Sequence, residues 1–370
     1  MKQHTLAVCL AAAFGSMAVA HADTAPAVPS LAAVIGATPG LSITGYVASS
    51  YTHFDTTPAM RQFDTTQNGF TLNQASMTVS YLPSSGAGAA VTLVGGSDAQ
   101  ILRAGELSSG TTNAQFDVLN AYAQYAAGPL TLMAGKFSTL AGAEVVNPVS
   151  NNEISRSLLF YGMEPISHTG VRATYTVGDA LTLTGGVNNG FNYTSTPSGT
   201  SKTIELGASG TPSKMFSYSA AFYSGDSPLF GGLSNGRVQL LDLVGTINAT
   251  DALNFVANVD VLSKDGFQGA GTGTGKANGL ALYANYSVND KVTLSARGEY
   301  IDDKDGIVSN QAGQTNKLKE LTLAASYMPV KSLKLTAEVR QDKSDLAMFA
   351  DGATSSTKQT SVALQATYAF

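Results

Sequence analysis

Two histidines are the first side chains to weigh for chemistry, because histidine is the usual general base near neutral pH. Of the four histidines, only His53 and His168 lie beyond residue 22. Neither is matched by a serine in the strand-turn-helix setting that exposes a nucleophile. His168 alternates in step with Arg172 and Thr174, which assigns it to a polar face lining a pore. The sequence therefore predicts no enzyme.

Two short motifs resemble phosphate-binding or metal-binding loops, but neither has all the residues that such a loop requires. Residues 269–278 read GAGTGTGKAN, but alanine replaces the first glycine and the final Ser/Thr of a phosphate loop, and no helix follows. Residues 302–306, DDKDG, lack the spaced ligands and closing glutamate of a calcium-binding loop. The single cysteine, Cys9, lies in the N-terminal segment, which excludes thiolate chemistry from the rest of the chain. We predict no metal site and no cofactor.

A larger group of charged residues shares one alternation. These side chains fall on the polar faces of segments with a period of two, and acids outnumber bases. They are Arg172, Arg297, Lys334 and Arg340 against Glu205, Asp242, Asp260, Glu299, Glu320 and Glu338. Neutralising ion pairs between neighbouring strands are one interpretation. The other is that the carboxylate excess tilts a pore toward cations.

The segments carrying these charges are strands. Leu181, Leu183 and Val187 alternate with Thr182 and Thr184, and similar alternation returns in about sixteen segments from residue 41 onward. Strict alternation over about eight residues marks a strand with one apolar and one polar face. The polar faces carry too many Thr, Ser, Asn and Gln side chains for a dry interior. Sixteen strands leave a lumen wide enough for water.

The connections between strands predict the architecture. Short connections at 81–89, 126–129, 177–180, 210–214, 248–251, 288–291 and 328–332 alternate with long ones at 55–68, 96–114, 138–165, 189–201, 224–236, 263–277, 302–316 and 343–356. This alternation is typical of an all-β transmembrane antiparallel barrel with short periplasmic turns and long extracellular loops. Six tyrosines on the apolar parity would form an aromatic girdle at the periplasmic interface, namely Tyr81, Tyr125, Tyr175, Tyr286, Tyr327 and Tyr368.

Composition and the N-terminus agree with an exported membrane protein. Only 13% of residues are charged, about half the usual share. Lys2, an apolar run over 6–14 and the Ala20-His21-Ala22 cleavage pattern predict a signal peptide at 1–22. We assign 23–40 to an Ala/Pro-rich periplasmic leader and 41–370 to the barrel.

Residues 135–192 resemble the signature region of the OmpL-like putative β-barrel porin family. The matching residues, in order, are Gly135, Lys136, Phe137, Gly142, Glu144, Asn151, Ser155, Arg156, Ser157, Pro165, His168, Gly170, Val171, Arg172, Asn189 and Gly190. FTLNQASM at 70–77 is similar to an earlier family segment, whereas Phe191 stands where we expect tryptophan. The resemblance implies a porin-type barrel of undefined substrate.

The third long connection, 138–165, has an apolar run over 157–163 that is unfavourable to leave in water. In porins this loop commonly folds into the barrel, so we expect the run to pack on the inner wall, with a subunit contact or loop cap as the alternative. Four charged residues would then face the narrowest part of the pore: Glu144, Glu153, Arg156 and Glu164.

The sequence thus predicts an outer-membrane porin for passive diffusion of small hydrophilic solutes or ions, weakly preferring cations. The alternative is a barrel acting through its extracellular loops as a surface receptor or adhesin. Predicted partners are outer-membrane lipid and lipopolysaccharide, a possible homotrimer, and the barrel-assembly machinery through Tyr368 and Phe370. A net charge of −5 without a basic stripe predicts no nucleic-acid partner.

Overall fold

The computed structural model describes residues 38–105, 114–192, 202–226, 236–268 and 273–370. The predicted signal peptide and most of the predicted leader lie outside these residues. Sixteen strands form the barrel: β1 Leu41–Phe54, β2 Asn68–Tyr81, β3 Gly86–Gly95, β4 Phe116–Ala127, β5 Leu130–Ser138, β6 Ser167–Gly178, β7 Leu181–Asn188, β8 Thr203–Ser213, β9 Phe216–Asp226, β10 Arg237–Asn248, β11 Leu253–Gln268, β12 Gly273–Asn289, β13 Val292–Asp303, β14 Asn316–Val330, β15 Leu333–Ser344 and β18 Lys358–Ala369.

The remaining elements lie in the long loops. Strands β16 (Phe349–Asp351) and β17 (Thr354–Ser356) form a separate hairpin. Helix α1 spans Ser97–Gly105, helix α2 spans Leu158–Gly162, and a 3-10 turn covers Pro148–Ser150. In the described part of the chain, no helix has the length and apolar composition needed to cross a membrane.

The sheet closes on itself. Each barrel strand pairs antiparallel with its neighbours in sequence, and β18 returns to β1 with a register running from Tyr46 opposite Ala369 to Phe54 opposite Ser361. Closure leaves no strand edge with unpaired backbone groups, which is the condition for a sheet in lipid. The predicted sixteen-stranded antiparallel barrel is confirmed.

The alternation of apolar and polar residues separates the two faces of the wall. Leu183 and Val187 point outward and are exposed, whereas Arg297 and Asp260 point inward and are fully buried. The six tyrosines of the predicted girdle are all exposed near the ends of their strands, at the end of the barrel with short turns. We call this the turn end and the opposite end the loop end.

One predicted long loop is wrong. Residues 263–277 are mostly strand, because β11 continues to Gln268 and β12 begins at Gly273, with Lys264 opposite Gly275. Alternation explains the extension: Thr274 and Lys276 are exposed on one face, while Gly275 and Ala277 are buried on the other. Glycine content suggested flexibility, but small residues here give neighbouring side chains room on the inner face.

Apolar clusters lie inside the barrel toward the loop end. The larger joins Leu158, Leu159 and Met163 to inner-wall side chains such as Tyr283 and Ile301. A second gathers Phe63, Val94, Leu102, Leu119, Val146 and Phe160 around α1 and the third loop. We use "loop 3" for residues 139–166. The inner volume is therefore partly filled by loop structure.

Candidate functional site

Helix α2 fixes loop 3 against the inner wall. Ser157 starts the helix by accepting a hydrogen bond at Oγ from the Phe160 amide, 3.0 Å away. Leu159 and Met163 then reach β12 at Gly279, where an added Cβ would lie 2.9 Å from either side chain. Only glycine leaves space for the helix to approach this closely. The apolar run therefore packs on the wall.

Two wall carboxylates bind the backbone of loop 3. Glu299 on β13 accepts hydrogen bonds from the amides of Leu158 at 2.8 Å and Leu159 at 3.2 Å. Glu338 on β15 accepts one from the Ile154 amide at 2.6 Å. Charge-assisted bonds of this type are about twice as strong as neutral ones. The wall thereby satisfies amides that would otherwise be buried without a partner.

Three wall bases bind loop carbonyls. Arg297 on β13 donates to the Ser155 carbonyl at 3.0 Å, and Arg340 on β15 donates to the Arg156 carbonyl at 2.5 Å. Lys334 donates to three further carbonyls, those of Pro148, Val149 and Asn151. Acids and bases of β13 and β15 thus hold both polar groups of the loop 3 backbone.

Arg297 and Arg340 also form ion pairs with carboxylates of the wall and of loop 3. Arg297 lies 2.6 Å from Glu144 of loop 3 and 3.2 Å from Glu320 on β14. Arg340 lies 2.7 Å from Asp342 and 3.7 Å from Glu320. The interpretation of neutralising pairs between adjacent strands agrees with these contacts. We call Glu144, Arg297, Glu299, Glu320, Glu338, Arg340 and Asp342 the paired wall.

Arg156 lies in the interior of loop 3. Its guanidinium donates to the carbonyls of Val145 at 2.8 Å, Ile154 at 2.9 Å and Val146 at 2.9 Å. Burial lowers the pKa of Arg156, and the carboxylate of Glu144 opposes that shift. The side chain crosslinks two stretches of the loop and so shapes its path.

Sequence analysis predicted that four loop 3 residues face the narrowest part of the pore, and the structure shows that they are buried. Each is less than a tenth exposed: Glu144, Glu153, Arg156 and Glu164. The expectation assumed that charged loop residues remain in water. In the structure, folded loop backbone and wall side chains surround them because the loop's own amides and carbonyls need partners.

Glu153 keeps one carboxylate oxygen without a hydrogen-bond partner. Burial raises its pKa to about 7, with Glu144 and Glu338 adding to the shift and Arg297 opposing it. A carboxyl group in this setting changes charge near neutral pH.

His168 does not line a pore. Its ring is fully buried on β6, stacked on Tyr223 with centroids 4.6 Å apart and edge-on to Phe191. Its Nδ1 lies 3.0 Å from the Gly190 carbonyl oxygen. The predicted inward parity agrees with this position, but aromatic packing under the loops excludes water from the ring.

Arg172 and Glu205 form an isolated pair on the opposite side of the barrel. The Arg172 Nε lies 2.6 Å from Glu205 Oε1, and its guanidinium covers the Phe137 ring at 4.1 Å. Parity predicted that both residues face inward, and the structure brings them together across β6 to β8. The pair is neutral and largely buried.

A third group contains acids alone. Glu164 at the end of loop 3 meets Asp242 on β10 and Asp260 on β11, with carboxylate oxygens within 4.8 Å of one another. Asn258 donates to Asp242 at 2.6 Å and accepts from the Ala143 amide at 2.8 Å. We call Glu164, Asp242 and Asp260 the acidic cluster. Parity predicted the inward positions of Asp242 and Asp260, whereas the path of loop 3 brings Glu164 to them.

The charges buried among the described residues are unbalanced. Fourteen are acids: Asp64, Asp98, Asp117, Glu144, Glu153, Glu164, Glu205, Asp242, Asp260, Glu299, Asp303, Glu320, Glu338 and Asp342. Seven are arginine or lysine: Arg61, Lys136, Arg156, Arg172, Lys264, Arg297 and Arg340. This excess gives the inner volume a negative potential when the acids are ionised.

A pocket of about 300 Å³ opens at the loop end, above loop 3. Residues from five loops and from the ends of β4 and β6 line it, among them Gln62, Leu102, Asp117, Tyr161, Glu164, Asn192 and Asn310. Glu164 therefore contributes both to this pocket and to the acidic cluster below it.

Sequence analysis missed several charged partners. Arg61, in the first long loop, lies 2.7 Å from Asp64 and 2.8 Å from Asp342. Asp342 continues the alternation of Glu338 and Arg340 and could have been found by parity. Arg61 and Asp64 carry no such signal, because a loop has no period.

A closed antiparallel barrel of sixteen strands with a polar inner face defines a channel protein of the outer membrane, of the porin class. The match to a known family is more specific. Residues 40–370 match the model of the family described as putative beta-barrel porin-2, OmpL-like, and the chain belongs to that family. The family and the fold point to a channel rather than an enzyme.

Solved structures with the same fold include three porin-type proteins. The outer membrane channel DcaP of Acinetobacter baumannii is 15% identical, with 89% of this chain and 97% of that chain covered and a TM-score of 0.59. The trimer form of Vibrio cholerae OmpT is 13% identical, covered over 89% and 99%, with a TM-score of 0.62. An anion-selective porin from Comamonas acidovorans is 12% identical, covered over 89% and 99%, with a TM-score of 0.62. No curated protein sequence matches the chain.

Proposed function

We propose that this protein is a passive diffusion channel for small hydrophilic solutes and ions, with loop 3 as its narrowest layer and a weak preference for cations. The observation that carries this proposal is the excess of buried carboxylates over buried arginines and lysines inside a closed barrel. A channel of low dielectric lined by one sign of charge concentrates ions of the opposite sign.

The fold leaves the sign of selectivity open, so the side chains must decide it. A related fold belongs to an anion-selective porin. In this chain the paired wall neutralises many carboxylates locally, whereas the acidic cluster and Glu153 have no such neutralisation. The excess of fourteen buried acids over seven buried arginines and lysines therefore supplies the field that favours cations. The preference is weak because much of the lining is paired and because a buried acid without a basic partner, such as Glu153, is only partly ionised near neutral pH.

The test is a single-channel recording in a planar bilayer with a KCl gradient. We expect discrete conductance steps. We also expect a reversal potential whose sign shows that K⁺ is more permeant than Cl⁻. Glu153→Gln should shift that potential toward zero, whereas Asp251→Asn, at an exposed position in a turn, should leave it unchanged. A chloride-side reversal potential would contradict the selectivity. Absence of steps would contradict the channel and favour a receptor or adhesin role for the loops.

We propose a homotrimer, by analogy with the trimer form of the OmpT structure. Outer-membrane lipid and lipopolysaccharide would then contact the remaining apolar outer face. The mass of the detergent-extracted protein, measured by light scattering without heating, checks this. A monomer mass at all protein concentrations would contradict it.

We propose that Tyr368 and Phe370 form the signal read by the barrel-assembly machinery after export directed by residues 1–22. The Phe370 amide donates to the Gly45 carbonyl at 2.9 Å, so the residue joins the closing strand pair. Phe370→Asp should lower the amount of heat-modifiable protein in the outer membrane, and Phe370→Tyr should preserve it. Equal amounts for both variants would contradict the proposal.

A further inference from the structure

The acidic cluster has the geometry of a cation site. One carboxylate oxygen from each of Glu164, Asp242 and Asp260 lies within 4.8 Å of the others. Oxygen ligands of calcium lie at about 2.3–2.6 Å from the ion, so two ligands of one ion are separated by at most about 5 Å. The three oxygens therefore can share one ion without rearrangement of the strands.

The cluster also lacks the partners that buried carboxylates need. All three residues are at least nine-tenths buried, and each keeps one oxygen without a hydrogen-bond partner. The ion pairs found in the described part of the chain involve other carboxylates. Because a buried unpaired charge is strongly unfavourable, the cluster must take up either protons or a cation.

We propose that Glu164, Asp242 and Asp260 bind a divalent cation, with Ca²⁺ as the expected ion. Hard carboxylate oxygens are the ligands that calcium prefers, and its flexible coordination tolerates the mixture of loop and strand positions. Three carboxylates exceed the charge of one divalent ion by one unit. Asn258, which donates to Asp242 at 2.6 Å and approaches Asp260 at 3.5 Å, lies where it stabilises that excess.

Loop 3 meets this site at both of its ends. At the start of the loop, the Ala143 amide donates to Asn258 at 2.8 Å, and Asn258 in turn donates to Asp242 at 2.6 Å. A Cβ on Gly142 would lie only 2.0 Å from Glu164 Oε2, so the start of the loop runs directly over the carboxylate at its end. A bound cation would thus fasten loop 3 to β10 and β11.

The pKa of Glu164, the residue that loop 3 contributes to the cluster, agrees with a crowded acidic environment. Burial raises the pKa of Glu164 well above its usual range, and the carboxylates of Asp260 and Asp242 raise it further. A divalent cation would reverse the effect, because an opposite charge favours the ionised form.

The test uses the purified full protein in detergent, freed of lipopolysaccharide because that lipid itself binds divalent ions. Unfolding temperature is measured with EGTA and with added Ca²⁺, and Tb³⁺ luminescence sensitised by tyrosine reports binding directly. We expect Ca²⁺ to raise the unfolding temperature of the wild type. Mg²⁺ should have a smaller effect, because it demands octahedral geometry.

Two isosteric variants, Glu164→Gln and Asp260→Asn, remove ligands without removing volume. Each should weaken Tb³⁺ binding at least about tenfold and abolish the Ca²⁺ response. Both should fold in EGTA, because they relieve repulsion between carboxylates. Glu205→Gln is the matched control, since it removes a buried inner carboxylate that Arg172 already neutralises. It should keep the full Ca²⁺ response.

The outcomes separate a cation from a shared proton. A wild type that unfolds at the same temperature in EGTA and Ca²⁺ overturns the proposal and means that protons neutralise the cluster. Unaltered Tb³⁺ affinity in both ligand variants overturns it as well. Neither readout depends on conduction. The cation site can therefore be disproved without affecting the channel proposal, and the channel proposal can be disproved without affecting the cation site.

Discussion

The inner wall has two regions that treat charge in opposite ways. On β13 to β15, acids and bases alternate and each finds a partner: Arg297 alone contacts Glu144, Glu299 and Glu320. On β10 and β11, Asp242 and Asp260 meet a third acid, Glu164, and the neutral amide of Asn258. Charge on the first region is structural, because it holds the loop 3 backbone. Charge on the second has no basic partner, and we propose that it binds a cation.

The difference teaches that inward parity alone does not assign function. Both regions show the same alternation in sequence, yet one is neutralised internally and the other is not. Loop 3 contributes a glutamate to each region, so the wall makes the difference: Glu144 meets Arg297, whereas Glu164 meets two further acids.

The largest effect should follow from Arg297→Met. This change removes the common partner of three buried carboxylates and the donor to the Ser155 carbonyl. We expect a loss of about 3–5 kcal/mol in the free energy of unfolding, with conductance that is larger and noisier because loop 3 is released. Urea unfolding of the folded, heat-modifiable form measures the loss. Arg237→Met, at an exposed position, should change stability by about 0.5 kcal/mol or less.

Two isosteric substitutions, one in each region, should change the free energy of unfolding in opposite directions. Glu320 lies between Arg297 at 3.2 Å and Arg340 at 3.7 Å, so Glu320→Gln should destabilise by about 3 kcal/mol. Glu164→Gln, in EGTA, should stabilise instead, because it removes one of three repelling charges. The same denaturation midpoints decide both. Two shifts in the same direction would mean that the two regions do not differ.

Between these regions, Glu153 should make stability depend on pH. Its pKa in the folded protein is raised to about 7 by burial, against about 4.3 in an unfolded chain. Below pH 4 the group is protonated in both states and has no effect. As pH rises toward 7 the folded state resists ionisation, so stability should fall by an amount on the order of 2–3 kcal/mol. Glu153→Gln should flatten this part of the pH profile, and an unchanged profile would contradict the assignment.

The smallest effect is expected at Lys334, a half-buried base on β15 near the paired wall. Lys334→Met loses three bonds to loop carbonyls, but water can replace part of them, so we expect about 1 kcal/mol. Lys331→Met, in the exposed turn before β15, is the control and should be neutral. A loss as large as that of Arg297→Met would mean that the 3-10 turn of loop 3 matters more than its helix.

The sequence predicted the barrel because each strand with one polar and one apolar face shows a two-residue repeat of hydrophobicity. Leu183 outside and Arg297 inside follow from alternation, and so does the placement of Arg297 and Glu320 on the inner faces of neighbouring strands. Their exact register does not follow, because a long connection joins β13 to β14. The error at 263–277 arose because glycine was taken as a loop signal where alternation should have prevailed.

The candidate site was predicted only in part. The contact of Glu144 with Arg297 joins residues 153 positions apart, and nothing periodic connects a loop to a wall. The sequence identified both residues and the inward packing of 157–163. It could not show that wall acids bind loop amides rather than solutes, because that depends on the exact path of the loop backbone.

The wall holds loop 3 mostly by its backbone. Glu299, Glu338, Arg340 and Lys334 contact amides and carbonyls, which every residue except proline provides in full. Besides these bonds, buried side chains such as Arg156 and Leu159 shape the loop, so its course is largely independent only of the side chains at its exposed positions. Exposed residues such as Val145 and Val149 can be exchanged for charged or aromatic ones while the scaffold keeps its shape. We therefore expect that substitutions at exposed positions of loop 3 can change the ion selectivity of the proposed channel while the barrel keeps its structure.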